Sequence, residues 1–243
     1  MELSSSKPLA CDVLVIGGGG AGLTVAIEAR EMGADVLVVS KSRAGYGNNT
    51  ILSKATFAAA SGWSDSRDNP EVHLKDTLFG GRFINDQKLV AAVARGSGAQ
   101  IAFLEKCGVR FIKEEGRLRA IHLPGHSYPR HVRAEHQTGR SITLPLREHA
   151  RKQGVRFADR VLITKLFASR EGRISAAVGM TREGSFLAFC GHCCVLATGG
   201  FGQVYLQTNN APGITGNGQA LAFELGLPLK DMEFVQFYPT AAG

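Results

Sequence analysis

The sequence lacks the features of a membrane protein or an exported protein. No apolar run among its 243 residues is long enough to cross a bilayer. Residues 1–8 contain an acidic residue and serines but no apolar stretch, so we expect no secretory signal. We therefore predict a cytoplasmic protein without a membrane span, in which residues 1–10 form a disordered lead-in.

Paired cysteines are also lacking. Five cysteines are an odd number, and without an export signal they indicate free thiols in a reducing compartment. Cys190, His192, Cys193 and Cys194 run directly into an apolar segment, so Cys193 and Cys194 alternate along a predicted strand and point to opposite faces. Because no second ligand pair stands at zinc spacing, we expect no metal site.

A nucleic-acid-binding signature is missing as well, although the net charge is +7. Between residues 126 and 160, eight lysines and arginines face three acidic residues. Nucleic-acid binding requires a reading element or aromatic residues interleaved with the basic ones, and neither is present. We interpret the basic stretch as a solvated face and expect no nucleic-acid partner.

One segment is highly informative. An apolar run at residues 13–16 leads into Gly17, Gly19 and Gly22 at Gly-x-Gly-x-x-Gly spacing, and then into an alanine-rich helical pattern over 23–32. The run suits a strand buried in a parallel sheet. Gly17 permits a tight turn, Gly19 lets a pyrophosphate approach the backbone, and Gly22 lets the helix pack closely. The order of strand, turn and helix predicts a dinucleotide-binding unit.

The second strand of that unit has an unusual end. We predict this strand over residues 34–39, and the position that usually carries a ribose-binding Asp or Glu holds Ser40, followed by Lys41. The missing carboxylate argues against a standard NAD site. Because a lysine at this position suits the 2′-phosphate of NADP, an NADP site stays an alternative.

The rest of the chain predicts one α/β domain over residues 11–243, a Rossmann-like domain with a parallel central sheet and an inserted antiparallel β meander. We expect a long irregular loop over 41–86, a helix over 86–108, a hairpin over 109–123 and a helix over 144–154. Strands follow at 155–157, 160–168, 173–181, 185–189 and 192–197, separated by glycine turns. A helix over 219–226 and a last strand over 232–237 complete the pattern.

Several ordered motifs resemble the flavoprotein subunit family of succinate dehydrogenase, fumarate reductase and L-aspartate oxidase. Besides the glycine turn, they are Ser40-Lys41, Asn49-Thr50, Gly125-His126-Ser127, residues 197–200, residues 215–218 and residues 232–240. The resemblance covers nearly the whole chain and implies FAD as cofactor. It implies cofactor contacts at Gly17, Gly19, Gly20, Ala21, Gly22, Ser40, Lys41, Asn49, Thr50, Ser53, Val161, Thr198, Gly199 and Asn217.

The chain departs from that family at informative positions. Members that attach FAD covalently use a histidine before the threonine, whereas Asn49 precedes Thr50 here, so we expect non-covalent FAD. Asn217 replaces the aspartate of Thr-Gly-Asp-Gly, which removes a charge but keeps an acceptor. Tyr238 replaces the histidine of His-Pro-Thr. Tyr238 and His126 are the candidate substrate contacts, although either residue can equally have a packing role.

The chain stops at Gly243, before the family's capping domain and its proton-donating arginine, so the resemblance assigns no catalytic acid and the fragment is expected to be incomplete. The resemblance implies an FAD-dependent oxidoreductase, once completed, that transfers two electrons to or from a small carboxylate or unsaturated substrate. A possible partner is an electron-transfer subunit. Two alternatives stay open: a truncated, inactive FAD-binding fragment and an NADP-dependent dehydrogenase.

Overall fold

The structure, a computed structural model, describes residues 7–60 and 62–237. The helices are α1 (Gly20–Glu31), α2 (Asn49–Leu52), α3 (Pro70–Gly80), α4 (Gln87–Lys106), α5 (Thr138–Lys152) and α6 (Asn217–Glu224), with a short 3-10 helix at Gly202–Val204. The strands are β1 (Leu9–Ile16), β2 (Val36–Ser40), β3 (Phe57–Ala58), β4 (Lys113–Glu114), β5 (Arg117–Leu118), β6 (Ala120–Ile121), β7 (His131–Val132), β8 (Arg156–Asp159), β9 (Val161–Ala168), β10 (Ile174–Thr181) and β11 (Phe186–Leu196). No described helix has the length and apolar character that crossing a membrane requires.

The chain divides into two compact units. The first contains Met1–Leu52 and Leu146–Gly243, and the second contains Ser53–Pro145, so the boundary falls within α5. Our prediction of a single domain over 11–243 stays a prediction. β1 begins at Leu9 because Leu9 and Ala10 pair with β11, so these two positions of the predicted lead-in belong to a strand.

The first unit contains a six-stranded sheet in the order β8-β2-β1-β11-β10-β9. The first four of these strands run parallel, and β10 and β9 add antiparallel strands at one edge. All five residues of β2 are buried, as a strand covered on both faces requires. The α/β fold with a mostly parallel sheet and an antiparallel addition is thus confirmed.

The predicted antiparallel meander differs from the structure in one respect. The two strands predicted at 185–189 and 192–197 form one strand, β11, because Gly191 stays extended and pairs with Cys11 of β1. Cys193 is exposed, whereas Cys194 packs against the hydrophobic core, so the two thiols lie on different faces as predicted. One long strand therefore joins the parallel and antiparallel parts of the sheet.

The second unit contains α3, α4 and small two- and three-stranded sheets. The prediction of an irregular loop over 41–86 is wrong for α3. This helix begins after Asn69, whose Oδ1 accepts hydrogen bonds from the N–H groups of Glu71 and Val72, with Pro70 at its first position. An Asn cap followed by proline is a strong helix start. The predicted helix over 86–108 is confirmed as α4, capped by Asp86.

The ends of two other elements differ from the prediction. α5 begins at Thr138, earlier than the predicted 144, and continues through Pro145. The predicted strand over 232–237 is wrong, since these residues form a turn and irregular chain without a partner strand. Phe234 and Phe237 are exposed, so the apolar residues of this segment do not form the buried face that would stabilise a strand here. Tyr238 lies outside the described residues.

Candidate functional site

A cavity of about 960 Å³ lies in the first unit where the parallel strands end. Loops that follow the carboxyl ends of β1, β2 and β11 line it, together with the adjoining ends of β9 and β10 and the start of α6. This edge of an open α/β sheet is where ligands bind in such folds. The volume lies in the range of cofactor sites.

The glycine turn after β1 has the geometry that its sequence predicts. Gly17 has φ +118°, and a Cβ there would lie 2.2 Å from Ala197 O. A Cβ at Gly22 would lie 1.9 Å from Gly17 O. A side chain at Gly22 would therefore push β1 and α1 apart, and a side chain at Gly17 would push the end of β1 away from the turn after β11. By contrast, a Cβ at Gly19 would meet nothing closer than Asn48 Cβ at 3.6 Å. The backbone at Gly19 is therefore open to a ligand.

Two helices begin at this cavity with glycine as the N-cap residue, which has no side chain to cap the helix. α1 has Gly19 at its N-cap and no acidic residue in its first turn, and Gly20 N–H donates to Thr50 Oγ1 at 3.2 Å. α6 follows Gly216, which has φ +81° and likewise offers no side-chain cap. Residues of both N-termini line the cavity. Helix N-termini attract anions, so the cavity favours a diphosphate.

The charged residues that line the cavity are Lys41, Arg160 and Arg182, and none of its described lining residues is Asp or Glu. Lys41 Nζ donates to Thr215 Oγ1 at 2.7 Å and to Asn217 Oδ1 at 2.8 Å. Desolvation lowers the pKa of Lys41. An excess of positive charge in a concave site raises the local concentration of anionic ligands.

Asn49 holds a loop of the cavity with both ends of its amide. Asn49 Nδ2 donates to Asn210 Oδ1 at 2.6 Å, and Asn49 Oδ1 accepts from Ala211 N–H at 2.8 Å. The loop that follows the 3-10 helix is thereby fixed to the start of α2. An amide has no ring nitrogen with which to form a bond to a flavin.

The turn after β11 meets the start of α6 at very close range. A Cβ at Gly218 would lie 1.9 Å from Thr198 Oγ1, and Gln219 Nε2 donates to Gly199 O at 3.1 Å. Gln219 Oε1 is buried and has no hydrogen-bond partner among the described residues. An unused buried acceptor beside the open glycine turn fits a ligand with donors, such as a dinucleotide with its hydroxyl and amino groups.

Most of the predicted cofactor residues come together here. Those that line the cavity are Gly17, Gly19, Gly20, Ala21, Ser40, Lys41, Asn49, Thr50, Val161, Thr198, Gly199 and Asn217. Gly22 packs against the turn instead. Ser53 lies in the second unit and accepts from Gly139 N–H, so it is not part of the cavity lining.

Sequence reasoning missed other lining residues, notably Asn48, Arg160, Arg182 and Gln219. Asn48 stood within a recognised polar segment, and its Oδ1 accepts from Ile51 N–H, which caps α2. The two arginines stand at strand ends and had no local signal. Only the pairing of distant strands brings them to the cavity.

The candidate substrate contact His126 lies in a polar cluster of the second unit. Arg130 is 0% exposed, and its Nη2 lies 2.8 Å from both Asp68 Oδ1 and Asp76 Oδ2. The ring of His126 lies 4.4 Å from that of His131 and 6.2 Å from that of His73, centroid to centroid. Burial, and then the charge of Arg130, lower the pKa of His126. A substrate role of His126 stays a prediction.

The same burial lowers the pKa of His73 and of His131 to about 4 each. All three rings therefore stay neutral at pH 7. Over residues 7–60 and 62–237, no group of three or more His, Cys, Asp or Glu side chains is placed to hold a metal ion.

Comparison with known proteins agrees with this geometry. The family described as FAD binding domain matches residues 12–242. One subunit of the CoM/CoB fumarate reductase of Methanothermobacter marburgensis is 35% identical over 232 residues, which cover 95% of this chain and 42% of that protein. The L-aspartate oxidase of Streptomyces coelicolor is 36% identical over 238 residues, which cover 96% of this chain and 40% of that protein.

The fold of this chain is also similar to that of a solved fumarate reductase structure. A mutant of the E. coli quinol fumarate reductase protein FrdA superimposes with a TM-score of 0.90 at 27% identity, covering 97% of this chain and 40% of that chain. The chain therefore spans about two fifths of the length of the relatives that it matches.

Proposed function

The chain belongs to the family of FAD binding domains, so its cofactor is FAD, and we propose that the cavity at the carboxyl edge of the first unit's sheet holds that cofactor. The observation that carries this proposal is the open backbone at Gly19, beside two helix starts whose N-cap residues are glycines. There, amide donors and an excess of positive charge meet the needs of a diphosphate.

We propose that the predicted residues contact different parts of the cofactor. Gly19, Gly20 and Ala21 receive the diphosphate, and Ser40 and the backbone near Val161 lie toward the adenosine. Asn217 and Gln219 offer hydrogen bonds from the start of α6. Because Asn49 and Thr50 hold the neighbouring loops in place, they shape the cavity without bonding covalently to the flavin.

We propose that the whole protein is an FAD-dependent oxidoreductase of the fumarate reductase and succinate dehydrogenase kind. Bound FAD supplies two-electron redox chemistry, while the chain binds and orients it. The relatives named for fumarate and L-aspartate support a small carboxylate or unsaturated substrate, and an electron-transfer subunit remains the proposed partner. A location in the cytoplasm stays a prediction from sequence.

Titration of the purified chain with FAD, followed by quenching of flavin fluorescence, tests the site. Gly19→Ala is the most informative variant, because the backbone at Gly19 is extended and the new methyl group would meet no protein atom closer than 3.6 Å. The protein should fold normally, and the affinity for FAD should fall at least about tenfold, since the methyl group occupies the place of the diphosphate.

The matched control is Gly96→Ala in α4, where a Cβ would meet nothing within 4 Å. This variant should bind FAD like the parent chain. Equal FAD binding by the Gly19→Ala variant, or no binding by the parent chain at high FAD concentration, would contradict the proposed site.

A further inference from the structure

Two arginines, Arg160 and Arg182, stand together at the end of the cavity where β2 finishes. Ser40 pairs with Asp159 in the parallel register, and the N–H of the next residue, Arg160, donates to Ser42 O at 3.3 Å. In the neighbouring antiparallel register Val161 pairs with Thr181, so Arg160 and Arg182 flank the same end of that pair.

The positive charge at this end is only partly balanced. In the described part of the chain neither guanidinium group forms an ion pair with a carboxylate. Asp159 is engaged elsewhere, since its Oδ2 lies 2.9 Å from Arg147 Nη2 and its Oδ1 accepts from Ala44 N–H. Glu183 is exposed, and its pKa is lowered first by its own backbone N–H and to a smaller extent by the charges of Arg160 and Arg182, so this carboxylate balances part of their charge.

The end of β2 is the place where dinucleotide-binding folds read the adenosine ribose. A carboxylate there accepts a hydrogen bond from the 2′-hydroxyl and repels a phosphate, whereas a nearby arginine accommodates a 2′-phosphate. This chain has buried Ser40 at that position. The adenosine ribose of FAD carries free hydroxyls at its 2′ and 3′ positions, so two guanidinium groups beside these positions exceed what FAD requires.

We infer that this end of the cavity also binds adenine nucleotides that carry a second phosphate on the adenosine ribose, in competition with FAD. The inference rests on the proposed function, because it takes the adenosine end from the FAD site. Arg160 and Arg182 hold the added phosphate through charge-assisted hydrogen bonds. Lys41 stays on Thr215 and Asn217 and contributes its charge.

Calorimetric titration of the full chain with adenosine 5′-monophosphate and adenosine 2′,5′-bisphosphate tests the inference, because these probes differ only in the 2′-phosphate. The bisphosphate should bind about tenfold more tightly and should displace FAD at correspondingly lower concentration. In a double variant, Arg160→Ala with Arg182→Ala, the advantage of the bisphosphate over the monophosphate should disappear. The affinities for the monophosphate and for FAD should fall by a smaller and similar factor, because the variant removes two of the positive charges that line the cavity.

The control variant is Arg170→Ala, an exposed arginine in the turn at the other end of β9, which should keep the full advantage. The inference is overturned if the bisphosphate binds no better than the monophosphate, or if its advantage survives in the double variant. If FAD itself fails to bind, the proposed function fails first, and the separate FAD titration shows this directly.

Discussion

Gly22 lies so close to Gly17 that a Cβ at position 22 would stand 1.9 Å from the Gly17 carbonyl oxygen. This contact lets the first turn of α1 rest on the end of β1. The backbone of Gly19 and Gly20 thereby faces the cavity. One missing side chain thus sets the distance between strand and helix on which the whole site depends.

We expect Gly22→Ala to destabilise the chain, because the backbone contact leaves no room for a methyl group. Overpacking of this kind costs roughly 1–3 kcal/mol. Urea unfolding followed by circular dichroism measures the loss. Gly96→Ala, on an open helix face, should leave stability unchanged or raise it slightly. A Gly22→Ala variant as stable as the parent chain would show that the helix moves away at no cost.

We expect all bound flavin to leave the polypeptide when the FAD-loaded chain is precipitated with acid. Asn49 stands where covalent members of the family have a histidine, and its amide is already bonded to Asn210 and Ala211. The yellow colour should be recovered in the supernatant and measured by its absorbance. Flavin fluorescence that stays with the protein band on a denaturing gel would refute the prediction.

Local patterns in the sequence predicted the centre of the fold well. The glycine spacing at Gly17, Gly19 and Gly22, between an apolar run and an alanine-rich helix, specified β1, the turn and α1, since each residue there acts on its immediate neighbours. The sequence prediction was wrong where a local helix signal was overlooked and where a predicted strand had no partner strand. Asn69-Pro70 started a helix inside a stretch interpreted as loop, and residues 232–237 found no strand to pair with.

The prediction of the site was limited in the same way, because it found positions with a local pattern and missed positions set by strand pairing. Positions on the glycine turn and at the end of β2 were predicted because each follows a recognisable strand, whereas the roles of Thr198 and Gly199, on the turn after β11, were implied by the family resemblance. Arg160 and Arg182 reach the cavity only through the pairing of Ser40 with Asp159 and of Val161 with Thr181. The register between β2 and β8, which are separated by more than a hundred residues, has no local sequence signal, and without it neither arginine is placed at the cavity.

The histidines around Arg130 make the second unit sensitive to acid. His73 and His131 have pKa values of about 4 in the folded chain, because burial and the positive charge of Arg130 disfavour their protonated forms. In the unfolded chain a histidine titrates near its ordinary value of about 6.5. Between these pH values the unfolded state binds more protons than the folded state. The contribution of the neutral histidines to the free energy of unfolding is therefore fully present above about pH 6.5 and is lost as the pH decreases toward 4.

We expect the free energy of unfolding to fall by about 1 to 2 kcal/mol per histidine between pH 7 and pH 5, a window in which exposed carboxylates hardly titrate. The chain has one tryptophan, Trp63, and it lies in the second unit, so its fluorescence during urea unfolding follows the unit that contains the cluster.

His73→Gln removes one titrating ring and should reduce the pH dependence even if it lowers stability. The control is His192→Gln, which alters an exposed ring in the first unit that contacts Asp12 at 3.3 Å, and in this variant the pH dependence that comes from the cluster should remain. Equal stability of the parent chain at both pH values would mean that the cluster admits water and stabilises protonated histidine.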